Sequence, residues 1–313
     1  MRNMDNKENW CAEKVYKYAF LGRFGRSDTI YHYTSPQGLL GILQEKQMIL
    51  WFSRHDCLND ISEGGNVLEV YRNVCEELYA DHKIDSKFYD HIRNVEYDDK
   101  EFFIHVQENN QYLVKNLEAD KYICCFSDSC DSLPMWNYYI KSGKYEGYNI
   151  GISFFDTAHA GVQDCFGKNY NFNLYKVLYD EVEKKTMLQK EIEDCYQNYM
   201  NDIIDLNTVS LMLLMLLHNC SIFFKNSCFQ HEEEIRAVIS VPKNHNRQNI
   251  KYRSVNGYIV PYLEIPFQKE NVSEITIGPL LRDEMAKNTM DSLLKSRKYE
   301  NVTISSSKIP IRY

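Results

Sequence analysis

Three short segments carry residue types that do chemistry. In Tyr31-His32-Tyr33-Thr34-Ser35 a histidine sits in a β-branched, aromatic run directly ahead of a helix start, which places its imidazole to face a cleft at the strand end. A satisfied, half-buried histidine is the plainer alternative. In Cys125-Phe126-Ser127-Asp128 and the following Leu133-Pro134-Met135-Trp136-Asn137-Tyr138-Tyr139, large rings and an asparagine gather near one strand end. Helix periodicity cannot set all three rings of the second stretch on one face, so one tyrosine is expected at a cleft and Trp136 in the core. In the third segment, His231-Glu232-Glu233-Glu234-Ile235-Arg236, a strand opens. The two-residue period sets Glu232, Glu234 and Arg236 on one face and Glu233 and Ile235 on the other. Two same-face carboxylates raise each other's proton affinity unless a cation intervenes, an arrangement suited to a carboxylate that acts on a substrate. A simple surface ion pair is the competing account.

Metal chemistry is not expected. Cys228 and His231 form a Cys-x-x-His with His218 and Cys220 upstream, but Cys124, Cys125 and Cys130 lack zinc-ribbon spacing, and cysteines in apolar runs usually pack as small hydrophobes. The 313 residues carry 36 Lys and Arg against 44 Asp and Glu, a net charge of −8, which disfavours a generic nucleic-acid binder. The first residues, Met1-Arg2-Asn3-Met4-Asp5, hold no apolar signal core, so the ten cysteines are expected to be reduced and the chain cytoplasmic. The longest apolar run, Val209 to Leu217, falls short of the roughly 20 residues that span a bilayer, and no membrane segment is expected.

The elements that must position these residues read as follows. Helices are expected at 9–20, 36–46, 66 onward, around Phe102 to Leu117, around Leu133 to Tyr139, as a pair over 181–224, and at 280–296. Strands are expected at Thr29–Thr34, Met48–Ser53, Lys121–Ser127, Tyr148–Phe154, 174–179, Glu234–Val241, Gly257–Glu264, Val272–Ile277 and Val302–Ser305. Strands and helices mix without strict alternation, which favours the α+β class. No linker or repeat marks a boundary, so one domain over 1–313 is expected, with an N-terminal helical extension at 1–28 and helical insertions at 66–120 and 181–226. Residues 243–253 hold four basic side chains and no acidic one, a solvated loop or a nucleic-acid contact.

Several of these segments, taken in order, resemble the bacterial family DUF2971. They are Tyr31 to Ser35 with Gly38-Leu39-Leu40-Gly41-Ile42-Leu43, Leu58-Asn59-Asp60 with Glu63, Cys125-Phe126-Ser127, Met135 to Tyr139 with Glu146-Gly147-Tyr148, Glu232-x-Glu234-x-Arg236, and Ile277-Gly278-Pro279 with Ser307 to Arg312. More loosely, a histidine strand, a Gly-Leu-x-x-Ile-Leu helix and a second strand resemble the opening of ADP-ribosyltransferase folds of the His-Tyr-Glu type. That likeness implies a mixed β-sheet core of that type and NAD as substrate. It implies that His32 donates to the nicotinamide ribose, that a ring of Phe126, Tyr138 or Tyr139 stacks on nicotinamide, and that Glu234, or else Glu232, stabilises the oxocarbenium charge. Tyr33, Thr34, Ser127 and Arg236 would complete the NAD site, with the helix start after Ser35 offering amides to the diphosphate. Phe126 departs from the tyrosine of the transferase pattern, keeping a ring and losing a hydroxyl. The implied activity is ADP-ribosyl transfer to a protein or nucleic-acid acceptor, or NAD hydrolysis, as in bacterial toxins and phage-defence effectors with a neutralising or assembly partner. A nucleic-acid-binding or nucleic-acid-modifying protein, and a ligand-sensing module with a degenerate site, stand as the rival readings.

Overall fold

The computed structural model describes residues 2–20, 22, 29–58, 65–95, 101–108, 111–140, 146–154, 162–163, 169–170, 172–242, 249–255, 257–281 and 284–311. Of the residues singled out above, Asn59, Asp60, Glu63, 243–248 and Arg312 lie outside them. The chain divides into two compact units, the first Met1–Arg23, Asp60–Ala119 and Val177–Phe229, the second Phe24–Asn59, Asp120–Lys176 and Gln230–Tyr313. The extension and the two expected insertions thus fall almost entirely in the first unit.

That unit holds helices α1 (Arg2–Phe20), α3 (Gly65–Ala80), α4 (Ser86–Ile92), α6 (Glu181–Met200) and α7 (Leu206–Phe223). Aspartates cap three of them, with Asp85, Asp180 and Asp205 accepting from the amides of Phe88, Glu183 and Thr208, each at 2.8 Å. Helix α7 is apolar nearly all round because most of its length is core. Its 18 residues are long and apolar enough to cross a membrane by length and composition, and 67% of them are buried in the protein. One expectation fails here. The stretch Phe102 to Leu117 is not a helix: β3 (Glu101–Glu108) pairs antiparallel with the start of β4 (Gln111–Ser127), from Glu101↔Glu118 to Glu108↔Gln111. The i,i+4 spacing of its apolar residues also fits two strands, and β-formers such as Phe103, Ile104, Val106 and Val114 flanking Asn109-Asn110 decide for the hairpin.

The second unit is built on a mostly antiparallel mixed sheet. Its elements are β1 (Ile30–Thr34), α2 (Pro36–Ile42), β2 (Met48–Arg54), β4 from Asp120 on, α5 (Leu133–Tyr139), β5 (Tyr148–Ile152), β6 (Val162–Gln163), β7 (Asn169–Tyr170), β8 (Phe172–Lys176), β9 (Glu234–Pro242), β10 (Lys251–Val255), β11 (Tyr258–Phe267), β12 (Val272–Ile277), α8 (Glu284–Ser296) and β13 (Thr303–Ser306). The order is β10-β11-β2-β4-β1-β5-β12-β13, with β9 beside β4 and β8 beside β9, while β6 and β7 pair separately. Only β12 and β13 run parallel among the strand pairs described.

Burying one face of this sheet supplies the core. Ile235, Ala237 and Ile239 alternate inward from β9, and Phe52, Phe154, Phe172 and Phe267 meet edge-on, tilted or stacked at centroid distances of 5.0 to 6.4 Å. The intervening β9 positions, Glu234 and Arg236, project to the other side and are buried there as well. A smaller cluster of Tyr33, Met135, Trp136 and Ile140 seats α5 against β1. Trp136 is fully buried, packs edge-on to Tyr33 at 4.8 Å and donates from Nε1 to Asp131 at 2.7 Å.

Candidate active site

Within the second unit, strands β1, β2, β4 and β10 together with α2 and α5 surround a cavity of about 860 Å³, a size ordinary for a small-molecule site. Its lining includes His32, Tyr33, Thr34, Phe126, Tyr138, Tyr139, Glu232 and Glu234. Ser127 and Arg236 do not line it; both are fully buried and act on residues that do.

The carboxylate wall comes from the junction of a 3-10 turn, Ser227–Glu232, with β9. Glu233 takes a left-handed φ of +44°, and it is exposed while Glu232 and Glu234 on either side are buried. Backbone in that region costs a side-chain-bearing residue on the order of 1 kcal/mol or more, so the kink must be held from outside. Ser127 Oγ donates to the Glu232 carbonyl at 2.7 Å, and the Asp128 amide donates to the Glu233 carbonyl at 2.8 Å. Ser127 therefore positions the turn instead of touching a ligand. Arg236 grips Glu234 with two bonds, Nε to Oε1 at 2.9 Å and Nη2 to Oε2 at 3.1 Å, with side chains 0% and 4% exposed. This fork fixes the plane of the Glu234 carboxylate and sets a cation beside it. Tyr139 donates its hydroxyl to Glu232 Oε1 at 2.9 Å, and burial together with the Glu232 charge raises its pKa far above the usual phenol value.

On β1, His32 Nδ1 lies 3.0 Å from the Cys125 carbonyl, and its ring meets Phe126 edge-on at 5.5 Å. A carbonyl only accepts, so Nδ1 carries the hydrogen. Burial lowers the His32 pKa against the opposing pull of that carbonyl, with the Arg253 charge adding to the fall. With Nδ1 donating to that carbonyl, Nε2 of the neutral ring is an acceptor and not the donor expected from the sequence. The helix start after β1 is also reassigned. Ser35 Oγ already accepts from the Gly38 amide at 3.1 Å, Pro36 has no N–H, and α2 runs for only seven residues, so no set of amides is presented to an anion. The Tyr33 hydroxyl is likewise engaged, donating to the Ser129 carbonyl and accepting from the Ser132 amide, each at 2.9 Å. Phe126 is 2% exposed, edge-on to His32 and to Phe154, whereas Tyr138 is 64% exposed at the cavity wall.

The residue that sequence reasoning missed is Arg253. It falls in the basic stretch read as a loop, but 251–255 form β10, and only the alternation Lys251-Tyr252-Arg253-Ser254-Val255 signalled a strand. Its register opposite Val260 carries both side chains to the cavity, while Lys251 pairs with Glu264 at 2.6 Å. Trp51 lines the cavity too. Among the described residues no group of three or more His, Cys, Asp or Glu is placed to hold a metal ion.

Residues 135–237 match the family described as "Protein of unknown function (DUF2971)". Over this segment the chain is similar to DUF2971. The matched span contains Tyr138, Tyr139, Glu232, Glu234 and Arg236, the carboxylate wall and its supports, while His32 and Arg253 precede and follow it. No curated protein and no solved structure matches the chain.

Proposed function

We propose that the cavity binds NAD and that the second unit is an ADP-ribosyltransferase or NAD glycohydrolase, its sheet of ADP-ribosyltransferase type. The observation that carries this reading is the presence of His32, Tyr139, Glu232 and Glu234 on one cavity of dinucleotide size. Cleavage of the N-glycosidic bond sends its electron pair to the nicotinamide ring nitrogen and leaves positive charge on the ribosyl carbon. A carboxylate already fixed in a largely dry wall stabilises that charge without reorganising, and Arg236 keeps Glu234 in that state. His32 Nε2 accepts from a ribose hydroxyl. Tyr138 and Tyr139 are the rings left to stack on nicotinamide, because Phe126 is enclosed. Water, or the hydroxyl or amine of a protein or nucleic-acid acceptor, then bonds to the ribosyl carbon and loses a proton.

One observation favours a second reading, a ligand-binding module without turnover: Arg236 offsets the charge of Glu234. Nicotinamide release from NAD by purified protein separates the two. For the enzyme, Glu234→Gln lowers the rate at least about a hundredfold, the scale of losing one preorganised electrostatic group. Activity retained in Glu234→Gln but lost in Glu232→Gln moves the role to Glu232. NAD binding without release supports the binding module.

A further inference from the structure

We propose that Arg253 is the phosphoryl seat of this cavity, so that the ligand class is one carrying a diphosphate. The proposal rests on the dinucleotide reading for the identity of the ligand, but its own evidence is separate.

Arg253 reaches from β10 across β11 to β2. Its guanidinium carbon lies 5.3 Å from the Trp51 ring centroid and 5.7 Å from that of Tyr262, and Nη2 donates to Ser53 Oγ at 2.7 Å. Register explains the anchor, since Tyr262 on β11 stands opposite Ser53 on β2. Two rings and a hydroxyl thus hold the side chain in one orientation, leaving little rotamer freedom to lose when a ligand binds. No carboxylate pairs with Arg253 among the described residues, and its Nε is buried without an acceptor among them. Burial lowers its pKa for the same reason. A partly buried cation without a counter-charge is costly, and that cost is recovered when an anion enters. Guanidinium forks match phosphoryl oxygens, and stacking on aromatic faces leaves the in-plane donors available. The cavity thus presents two kinds of group: its carboxylates suit a part of a ligand that develops positive charge, and Arg253 suits a part that is already anionic.

The test uses the full chain and calorimetric titration with ADP-ribose, which carries the diphosphate, and nicotinamide riboside, which does not. Arg253→Met should weaken ADP-ribose at least about tenfold, the scale of losing charge-assisted hydrogen bonds, while changing nicotinamide riboside by less than about twofold. Arg253→Lys should recover part of the loss. Equal losses for both ligands, or none for ADP-ribose, would overturn the proposal. Should Arg253→Met fail to fold, Ser53→Ala, which removes only the anchor, must still weaken ADP-ribose and spare nicotinamide riboside. If the wild type neither binds nor cleaves NAD, the dinucleotide reading falls on its own. Inorganic pyrophosphate then decides: binding that Arg253→Met abolishes upholds the phosphoryl seat, and no binding to the wild type ends it.

Discussion

Breaking the Glu234–Arg236 pair should be among the most damaging single changes in the second unit. Both side chains are at most 4% exposed and joined by two hydrogen bonds at 2.9 and 3.1 Å. Replacing Arg236 by Met leaves a buried carboxylate facing an apolar chain. Coulomb attraction at about 4 Å with an effective dielectric near 20 is worth about 4 kcal/mol, and removing one partner of a buried pair typically costs about 3–5 kcal/mol, so the two routes agree. Replacing both partners, Glu234→Leu with Arg236→Met, removes the stranded charge and should be less destabilising than Arg236→Met alone. Urea unfolding is best followed by fluorescence in a Trp10→Phe background, because Trp51 and Trp136 then report on the second unit alone. A loss under about 1 kcal/mol in Arg236→Met, or a double variant no better than the single one, would refute the view that the arginine's task is to hold Glu234.

Three further outcomes follow from the same structure. Trp136→Ala, at a fully buried site, should cost about 3–5 kcal/mol in the same unfolding assay, and a stable variant that loses only ligand binding would show Trp136 to be a site residue. At Gly147 an added Cβ would sit 2.7 Å from the Thr34 carbonyl and against Ile140, so Gly147→Ala should destabilise the unit in urea unfolding, whereas Gly41→Ala, whose Cβ meets no atom within 4 Å, should not. Burial, reinforced by the charges of Lys121 and Arg236, pulls the His55 pKa down to about 3. The unfolded chain takes up that proton near pH 6.5 and the native state only near 3, so stability is fully present above about pH 6.5 and falls as pH drops through this window. Urea midpoints between pH 7 and 4 should therefore fall less steeply in His55→Gln than in the wild type, and identical slopes would contradict the assignment.

Most of the positioning elements were legible from the sequence because their signals are local. Pro36 behind Ser35 marks the start of α2, Pro134 that of α5, and short runs of apolar, aromatic and β-branched residues mark β1, β2 and β12. The alternation at Glu232 to Arg236 set both carboxylates on one side, and both line the cavity, although Glu232 reaches it from the 3-10 turn across the left-handed Glu233 and not as a strand residue. What stayed hidden depends on partners distant in sequence. Nothing local distinguishes Arg253 from a solvated cation until β10 pairs with β11 and brings Trp51 and Ser53 beneath it, 202 and 200 positions away. Arg236 and Ser127 read as ligand contacts because composition cannot tell a group that touches a substrate from one that holds its neighbour. The β3–β4 hairpin failed for a different reason, since apolar residues four apart satisfy a helix as well as two short strands.

The central claim is that one cavity holds a dinucleotide with its glycosidic carbon at the carboxylates and its diphosphate at Arg253. A crystal structure of Glu234→Gln with intact NAD tests it most directly. The account predicts the ribosyl carbon within about 4 Å of the residue 234 side chain, as near-attack geometry requires, a ribose hydroxyl donating to His32 Nε2, and phosphoryl oxygens on Arg253. NAD bound elsewhere on the protein, or bound here with its nicotinamide ribose directed away from residues 232 and 234, would contradict it.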